Sequence, residues 1–250
     1  MLVVDLNADL GEREQQDTRD TALMPYITSA NIACGAHAGN VEVMHATVAA
    51  AVKNDVRIGA HPGLADRATF GRREVAISPD EVRSLIADQV GLLASIAAQH
   101  GASVHHVKPH GALYNMAARD LGLATAVAHA VADIDDSLVL VGLAGSTLIT
   151  AARTAGLRAA EEGFADRAYC SDGSLAPRGG AAAVLSDADT VATRAVAMVR
   201  HRRVLALDGT IVPISVDTIC IHGDTPGAVT LAQHVRAALE RAGVRVTALR

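Results

Sequence analysis

Ionisable side chains in this chain gather at the ends of short apolar runs, and their spacing decides which of them can meet. From Val3 to Asp9 apolar and polar residues alternate, the period-two mark of a strand. Asp5, Asn7 and Asp9 therefore share one face, while Leu6, Ala8 and Leu10 share the other. Three polar groups on a buried face are costly unless they are paired or put to use. An edge strand with one wet face is the competing reading, but parallel strands are covered on both sides. The pattern also recurs. His106, Lys108 and His110 share a face in V-H-H-V-K-P-H, Gly59 and His61 in I-G-A-H-P-G, and Cys220, His222 and Asp224 in I-C-I-H-G-D. Glu161 closes a further run, and His37 follows Asn31 and Cys34 in N-I-A-C-G-A-H-A-G-N. Carboxylates, imidazoles and one ammonium at several strand ends point to a shared site for proton transfer and charge stabilisation. Gly35, Gly39, Gly63, Gly111 and Gly223 lie beside these ends, where tight turns bring backbone N–H groups close to a ligand.

Missing motifs narrow the chemistry. The chain has neither G-x-x-x-x-G-K-[ST] nor G-x-G-x-x-G, so it shows no P-loop and no dinucleotide fingerprint. G-x-S-x-G and H-E-x-x-H are absent too, which removes the commonest serine hydrolase and zincin readings. Cys34, three residues before His37, is a conceivable nucleophile, but a small apolar strand-end residue is the better reading.

Strand-like runs alternate with helical ones throughout. The strands read as Val3 to Asp9, Asn31 to Cys34, Val56 to His61, Val104 to His110, Leu138 to Gly142, Leu157 to Glu161 and Thr218 to His222. Helix starts are expected at Asn40, at the Ser78-Pro79-Asp80-Glu81 capping box, at Ser186 and at Thr225-Pro226. The last of these helices exposes a stripe of Val235 and Leu239. Asp208-Gly209 between apolar runs signals a hairpin within Val204 to Ile214, and Asp166 to Ala181 reads as a long loop. Nothing resembles a linker, so residues 1–250 are expected to form one domain. Repeated βα units imply a parallel sheet, closed into a barrel or open and doubly wound, with ligands at the C-terminal strand ends in either case.

Composition agrees. Half of the 250 residues are hydrophobic, enough for a sizeable core without any Trp. A net charge of −5 argues against a nucleic-acid partner. Cys34, Cys170 and Cys220 are odd in number and far apart, so a reducing compartment is expected. The start M-L-V-V-D-L-N has no basic region, and the longest uncharged stretch, Ser137 to Ala152, is too short to span a membrane. A cytoplasmic protein without a membrane partner is expected.

Taken in order, several long motifs resemble the LamB/YcsF family, the A-subunit family of 5-oxoprolinase. They are D-L-N-A-D-L-G-E (5–12), N-I-A-C-G-A-H-A-G-N (31–40), G-A-H-P-G (59–63), F-G-R-R (70–73), V-K-P-H-G-A-L-Y-N (107–115), E-E-G-F-A-D-R-A-Y (161–169) and I-H-G-D-T-P-G-A (221–228). The resemblance implies an irregular seven-stranded (β/α) barrel like that of polysaccharide deacetylases. It also implies ATP-dependent opening of 5-oxo-L-proline to L-glutamate, with Mg-ATP as co-substrate and subunits B and C as partners. Where related deacetylases carry N-A-D-D-[FY]-G, with its metal-binding second Asp, this chain has Leu10. Asp9, His37 and His61 remain as the set able to hold an ion.

On that reading Asp9 or His61 is the base for water, while Asp5, Asn7, Asn31 and Glu12 hold the site or an Mg-nucleotide. Lys108 and Arg167 are the cationic stabilisers, with Arg73 a weaker candidate. His110, His222 and Asp224 transfer protons, Asp224 orienting His222. His37, Tyr114 and Glu161 support the substrate. Two other classes remain open: a stand-alone metal-dependent deacetylase or amidohydrolase, and a non-catalytic 5-oxoproline-binding subunit.

Overall fold

Seven parallel strands close into a barrel because β1 (Leu2–Leu10) pairs on one side with β2 (Ser29–Ala33) and on the other with β9 (Thr218–His222). The structure is a computed structural model that describes every residue except 16, 181, 224–226 and 250. After β1 and β2, separated by the short α1 (Thr18–Leu23), come α2 (Val41–Lys53), β3 (Arg57–His61), α3 (Pro79–Gln99) and β4 (Val104–Val107). The chain continues through α4 (Gly111–Ala117), α5 (Leu121–Ile134), β5 (Val139–Leu143), α6 (Thr147–Thr154), β6 (Arg158–Phe164) and α7 (Ala188–His201). It ends with the antiparallel hairpin β7 (Arg203–Leu205) and β8 (Ile211–Pro213), then β9, α8 (Ala228–Arg241) and β10 (Val244–Val246). The barrel runs β1-β2-β3-β4-β5-β6-β9, and β10 adds to the beginning of β1 outside the ring.

The two faces of β1 show how sequence alternation becomes a barrel. Leu6, Ala8 and Leu10 are buried in the apolar layer shared with the helices. Asp5, Asn7 and Asp9 are buried as well, and their hydrogen bonds run to β2, β6 and β9 and to Lys108, just past β4, across the barrel interior. Covering the apolar face contributes about 1.5–3 kcal/mol for each large side chain. The polar face is tolerated only because each of its groups finds partners.

Local signals set the helix starts. Ser78 accepts from the Glu81 N–H while the Glu81 carboxylate accepts from the Ser78 N–H, a complete capping box ahead of Pro79. Within α3, Gln89 interrupts an apolar stripe for a reason the pattern does not show. Its amide donates to Gly63 O (2.8 Å) and accepts from Gly63 N (3.0 Å), clamping the turn that follows His61.

Several expectations are corrected. The α7 cap is Asp187, whose carboxylate accepts from Thr190 N, rather than Ser186. Thr225-Pro226 lies outside the described residues, and α8 follows Gly227. Val235 and Leu239 are fully buried, because α8 packs its apolar stripe between α7 and β10. The strand expected to end at Glu161 continues to Phe164, paired with β9. The long loop read from the sequence is present among the described residues 166–180, and isolated bridges Arg167–Val184 and Tyr169–Leu175 pin it. Among the described residues no helix is long and apolar enough to cross a membrane.

Candidate active site

Beneath the site lies a hydrogen-bonded floor. Asp5 accepts from the hydroxyls of Thr28 (2.7 Å), Ser29 (2.6 Å) and Thr218 (2.5 Å). Burial pushes its carboxyl up, and those hydrogen bonds oppose the shift. Asp5 stands four residues before Asp9, about 13 Å lower along the strand, so it braces the barrel instead of meeting a ligand. Asn7 donates to Thr218 Oγ1 (2.6 Å) and Glu162 Oε1 (3.0 Å). Asn31 Nδ2 donates to both Asn7 Oδ1 and Asp9 Oδ1 (2.7 Å each), and Asn31 Oδ1 accepts from His106 Nε2 (2.8 Å). Burial pushes His106 down to about 3, so it is a neutral strut.

At the centre is Lys108, 2% exposed. Its Nζ lies 2.8 Å from Asp9 Oδ1, 2.9 Å from Glu162 Oε1 and 3.2 Å from Cys220 Sγ. Its ammonium also sits over the Phe164 ring, 5.3 Å from the centroid. Burial works against the charge, but Asp9, Cys220 and Glu162 outweigh it and keep Lys108 protonated well above the ordinary lysine range. Burial likewise opposes the Asp9 carboxylate. His61 and Lys108 overcome that and hold it well below the usual range, so Asp9 is an anchoring anion and a weak base. Tyr114 donates to Glu162 Oε2 (2.8 Å) and thereby holds Glu162 in place.

Two imidazole groups flank this centre. On one side His61 Nε2 lies 3.5 Å from Asp9 Oδ2 and 3.1 Å from His110 Nδ1. His37 stacks on His110 at 3.8 Å between centroids, and Glu12 Oε1 lies 3.5 Å from His110 Nδ1 and 3.6 Å from His37 Nε2. On the other side His222 stacks on Phe164, its Nδ1 3.0 Å from Asp166 Oδ2, while its backbone N–H donates to the same carboxylate. Burial opposes charge on Asp166, yet the His222 imidazole holds it below the usual range.

Asp9, Glu12, His37, His61, Lys108, His110 and His222 are thus brought together at one end of the barrel. Others are not. Glu161 points outward to Gly145 N (3.1 Å) and Arg153 Nη2 (2.8 Å), because β6 runs on to Phe164 and its inward residue is Glu162, which is fully buried. Arg73 is a surface partner of Asp66 (3.3 Å) with a side chain 67% exposed. The Arg167 guanidinium, pushed down to about 10 by burial, donates to the carbonyls of Ala176 (2.6 Å) and Ala183 (3.3 Å) and locks its loop. Asp166 is the carboxylate that orients His222, the role expected of Asp224, which lies outside the described residues. Cys34 is no nucleophile, since burial pushes its thiol up to about 12. Of the expected ion set, Asp9 and His61 adjoin, while His37 reaches Glu12. The triads whose ligand atoms lie within 4.8 Å of one another, among the described residues, are Glu12–His61–His110 and Asp9–Cys220–His222.

Residues 4–250 match the LamB/YcsF family. The chain belongs to that family. It is 51% identical over 247 residues to the 5-oxoprolinase A-subunit of Bordetella pertussis, covering 98% of each chain. It is 52% identical over 251 residues to that of Tolumonas auensis, covering all of both. Among solved structures it is similar to the lactam utilization protein of Thermus thermophilus, with a TM-score of 0.92 and 44% identity over 99% of this chain and all of that one. A T48 deacetylase shares the fold alone, with a TM-score of 0.50 and 12% identity over 98% of this chain and 87% of that one.

Within this LamB/YcsF chain, Glu162 and Asp166 are site residues that sequence patterns do not single out. A period-two pattern carried three residues beyond Glu161 would expose Glu162, whereas no local signal ties Asp166 to His222. Asp20 supports the same end of the barrel. Its carboxylate accepts from Gly11 N (2.8 Å) beside Glu12, and burial raises its pKa from 3.8 to about 6. The folded state therefore binds the proton more tightly, and stability is lost as pH rises from about 4 through 6. Asp20→Asn, which keeps an acceptor for Gly11, is expected to stabilise the chain at pH 7.5 by about 2 kcal/mol and to be neutral near pH 4. Denaturant melts at both pH values check this, and an equal effect at both would refute it.

Proposed function

We propose that this chain is the A-subunit of an ATP-dependent 5-oxoprolinase, acting in the cytoplasm with subunits B and C to hydrolyse 5-oxo-L-proline to L-glutamate as ATP is cleaved to ADP and phosphate. The observation that carries the reading is Lys108, a buried ammonium held between Asp9 and Glu162 with the His222–Asp166 pair beside it. Strong identity along the whole chain to proteins named as that component of 5-oxoprolinase supplies the substrate class.

A lactam is a stable amide, and its opening needs a base for water, an acid for the departing nitrogen and a cation for the oxyanion. ATP is the co-substrate of the assembly; this chain's own residues supply those three groups. His222 Nδ1 faces Asp166, which leaves Nε2 to take a proton from water as the water oxygen adds to the lactam carbonyl carbon. Lys108 stabilises the developing oxyanion by turning to it the N–H that otherwise meets Cys220 Sγ, with Asp9 and Glu162 fixing its position. The C–N bond then breaks, the proton on His222 passes to nitrogen, and glutamate results.

The test is glutamate release from 5-oxoproline and ATP, with and without co-expressed partners. Asp166→Asn is expected to lower kcat about 10²–10⁴-fold with KM little changed, as loss of an imidazole-orienting carboxylate does elsewhere. Near-normal kcat would sink the assignment of His222. Activity on an acetylated substrate without ATP would favour the deacetylase reading. Binding of 5-oxoproline by the isolated chain, with site variants losing binding and turnover in proportion, would favour the binding-protein reading.

A further inference from the structure

Beside Glu12 and His37, the facing nitrogens of His61 and His110 have a feature that the other hydrogen bonds of the two rings do not resolve. His61 Nδ1 lies 2.7 Å from Lys108 O, and His110 Nε2 lies 2.9 Å from Phe70 O. A carbonyl oxygen only accepts, so both nitrogens must carry the proton. That fixes which tautomer each ring has when neutral, and in that form lone pairs remain on His61 Nε2 and His110 Nδ1, which face one another at 3.1 Å. The surroundings add negative charge: Glu12 Oε1 lies 3.5 Å from His110 Nδ1 and 4.0 Å from His61 Nε2, and Asp9 Oδ2 lies 3.5 Å from His61 Nε2. Two ring nitrogens and two carboxylates around one point form a donor set for a cation.

We infer that this point is a binding site for one divalent transition-metal ion, zinc being the reference case, held by His61 Nε2, His110 Nδ1 and Glu12 Oε1. Four bonds of 2.0–2.1 Å in a tetrahedron place ligand atoms about 3.3 Å apart, and the three separations here, 3.1, 3.5 and 4.0 Å, bracket that spacing. Each imidazole donates its other N–H to a backbone carbonyl, the arrangement that orients metal-binding histidines. A second observation points the same way. His37 is 1% exposed, neither ring nitrogen has a hydrogen-bond partner, and its Nε2 lies 3.6 Å from Glu12 Oε1. It stands ready as an additional nitrogen ligand. The neighbouring triad Asp9–Cys220–His222 is not the site, because the Lys108 ammonium already stands 2.8 Å from Asp9 and 3.2 Å from Cys220.

The inference does not depend on the lactam reading, and its test does not use turnover. The full-length chain, stripped with a chelator and dialysed, is titrated with zinc by calorimetry, and bound metal is counted by elemental analysis. One equivalent is expected. Glu12→Gln and His110→Gln are each expected to weaken binding at least about 100-fold, and Cys220→Ser to leave it unchanged. Thermal melts of each metal-free variant identify any that fail to fold, and Glu12→Gln, near-isosteric on a side chain 10% exposed, is the decisive one. Cobalt in place of zinc should give a tetrahedral spectrum without a thiolate charge-transfer band. Failure to bind zinc at micromolar concentration would overturn the site and mean that a shared proton fills the gap. Loss of binding in Cys220→Ser, or a thiolate band, would overturn it in favour of the other triad.

Discussion

Lys108→Met is expected to lower glutamate release from the assembled enzyme at least about 10³-fold, the scale on which removing a buried oxyanion stabiliser acts. The side chain places an ammonium between Asp9 and Glu162, and methionine fills similar volume without charge. The same change leaves two buried carboxylates facing one another, which costs about 3–5 kcal/mol of stability. Lost activity in the single variant therefore mixes chemistry with folding. Lys108→Met with Glu162→Gln separates them. The second change removes one of the stranded charges, and its amide oxygen can still accept from Asn7 while its NH2 donates to the Tyr114 hydroxyl, at the positions the carboxylate oxygens now hold. The double variant should recover much of the melting temperature and none of the activity. Turnover within tenfold of normal in a folded double variant would show that Lys108 is a structural counter-ion only.

Gly59→Ala should be as damaging to the fold as Lys108→Met is to the chemistry. Gly59 is opposite both Asn31 and His106 in the sheet. A Cβ there would lie 1.9 Å from His106 Nε2, the atom that donates to Asn31. The imidazole cannot swing aside without breaking that hydrogen bond and unpairing Asn31, which also holds Asn7 and Asp9. Overpacking and a lost buried hydrogen bond together are expected to cost about 3 kcal/mol or more. For a chain of this size that is a fall of roughly 10 °C in melting temperature. The control is Gly91→Ala in α3, where an added Cβ meets nothing within 4 Å, and a gain of about 0.5–1 kcal/mol is expected. Similar melting temperatures for the two variants would show that the interior relaxes around residue 59.

Much of the architecture is legible in the sequence because it is written locally. The capping box at Ser78, the Asp208-Gly209 hairpin and the alternation in β1 each depend on residues within a few positions of one another, and each is present. The corrected expectations have equally local causes. Ending β6 at Glu161 makes that residue the natural strand-end group, but the strand runs three residues further and its alternation turns Glu162 inward instead. An apolar stripe such as Val235 and Leu239 at helical spacing says only that something covers it, and here α7 and β10 do.

The sequence by itself determined which side chains face the barrel interior, because alternation along a strand is a property of the backbone. Asp9, Lys108 and His222 are identifiable on that ground alone. Only the closed ring of strands decided their partners. Lys108 meets Glu162 from β6, and His222 meets Asp166, 56 positions earlier, through register and closure that no local pattern encodes. The tertiary structure also decided the states of those groups. Backbone carbonyls from distant turns fix the neutral-state tautomers of His61 and His110, the carboxylates beside Lys108 keep it charged against its burial, and burial makes His106 a neutral strut. Chemistry at this site depends on charge and tautomer, and both are set by what surrounds a side chain in space.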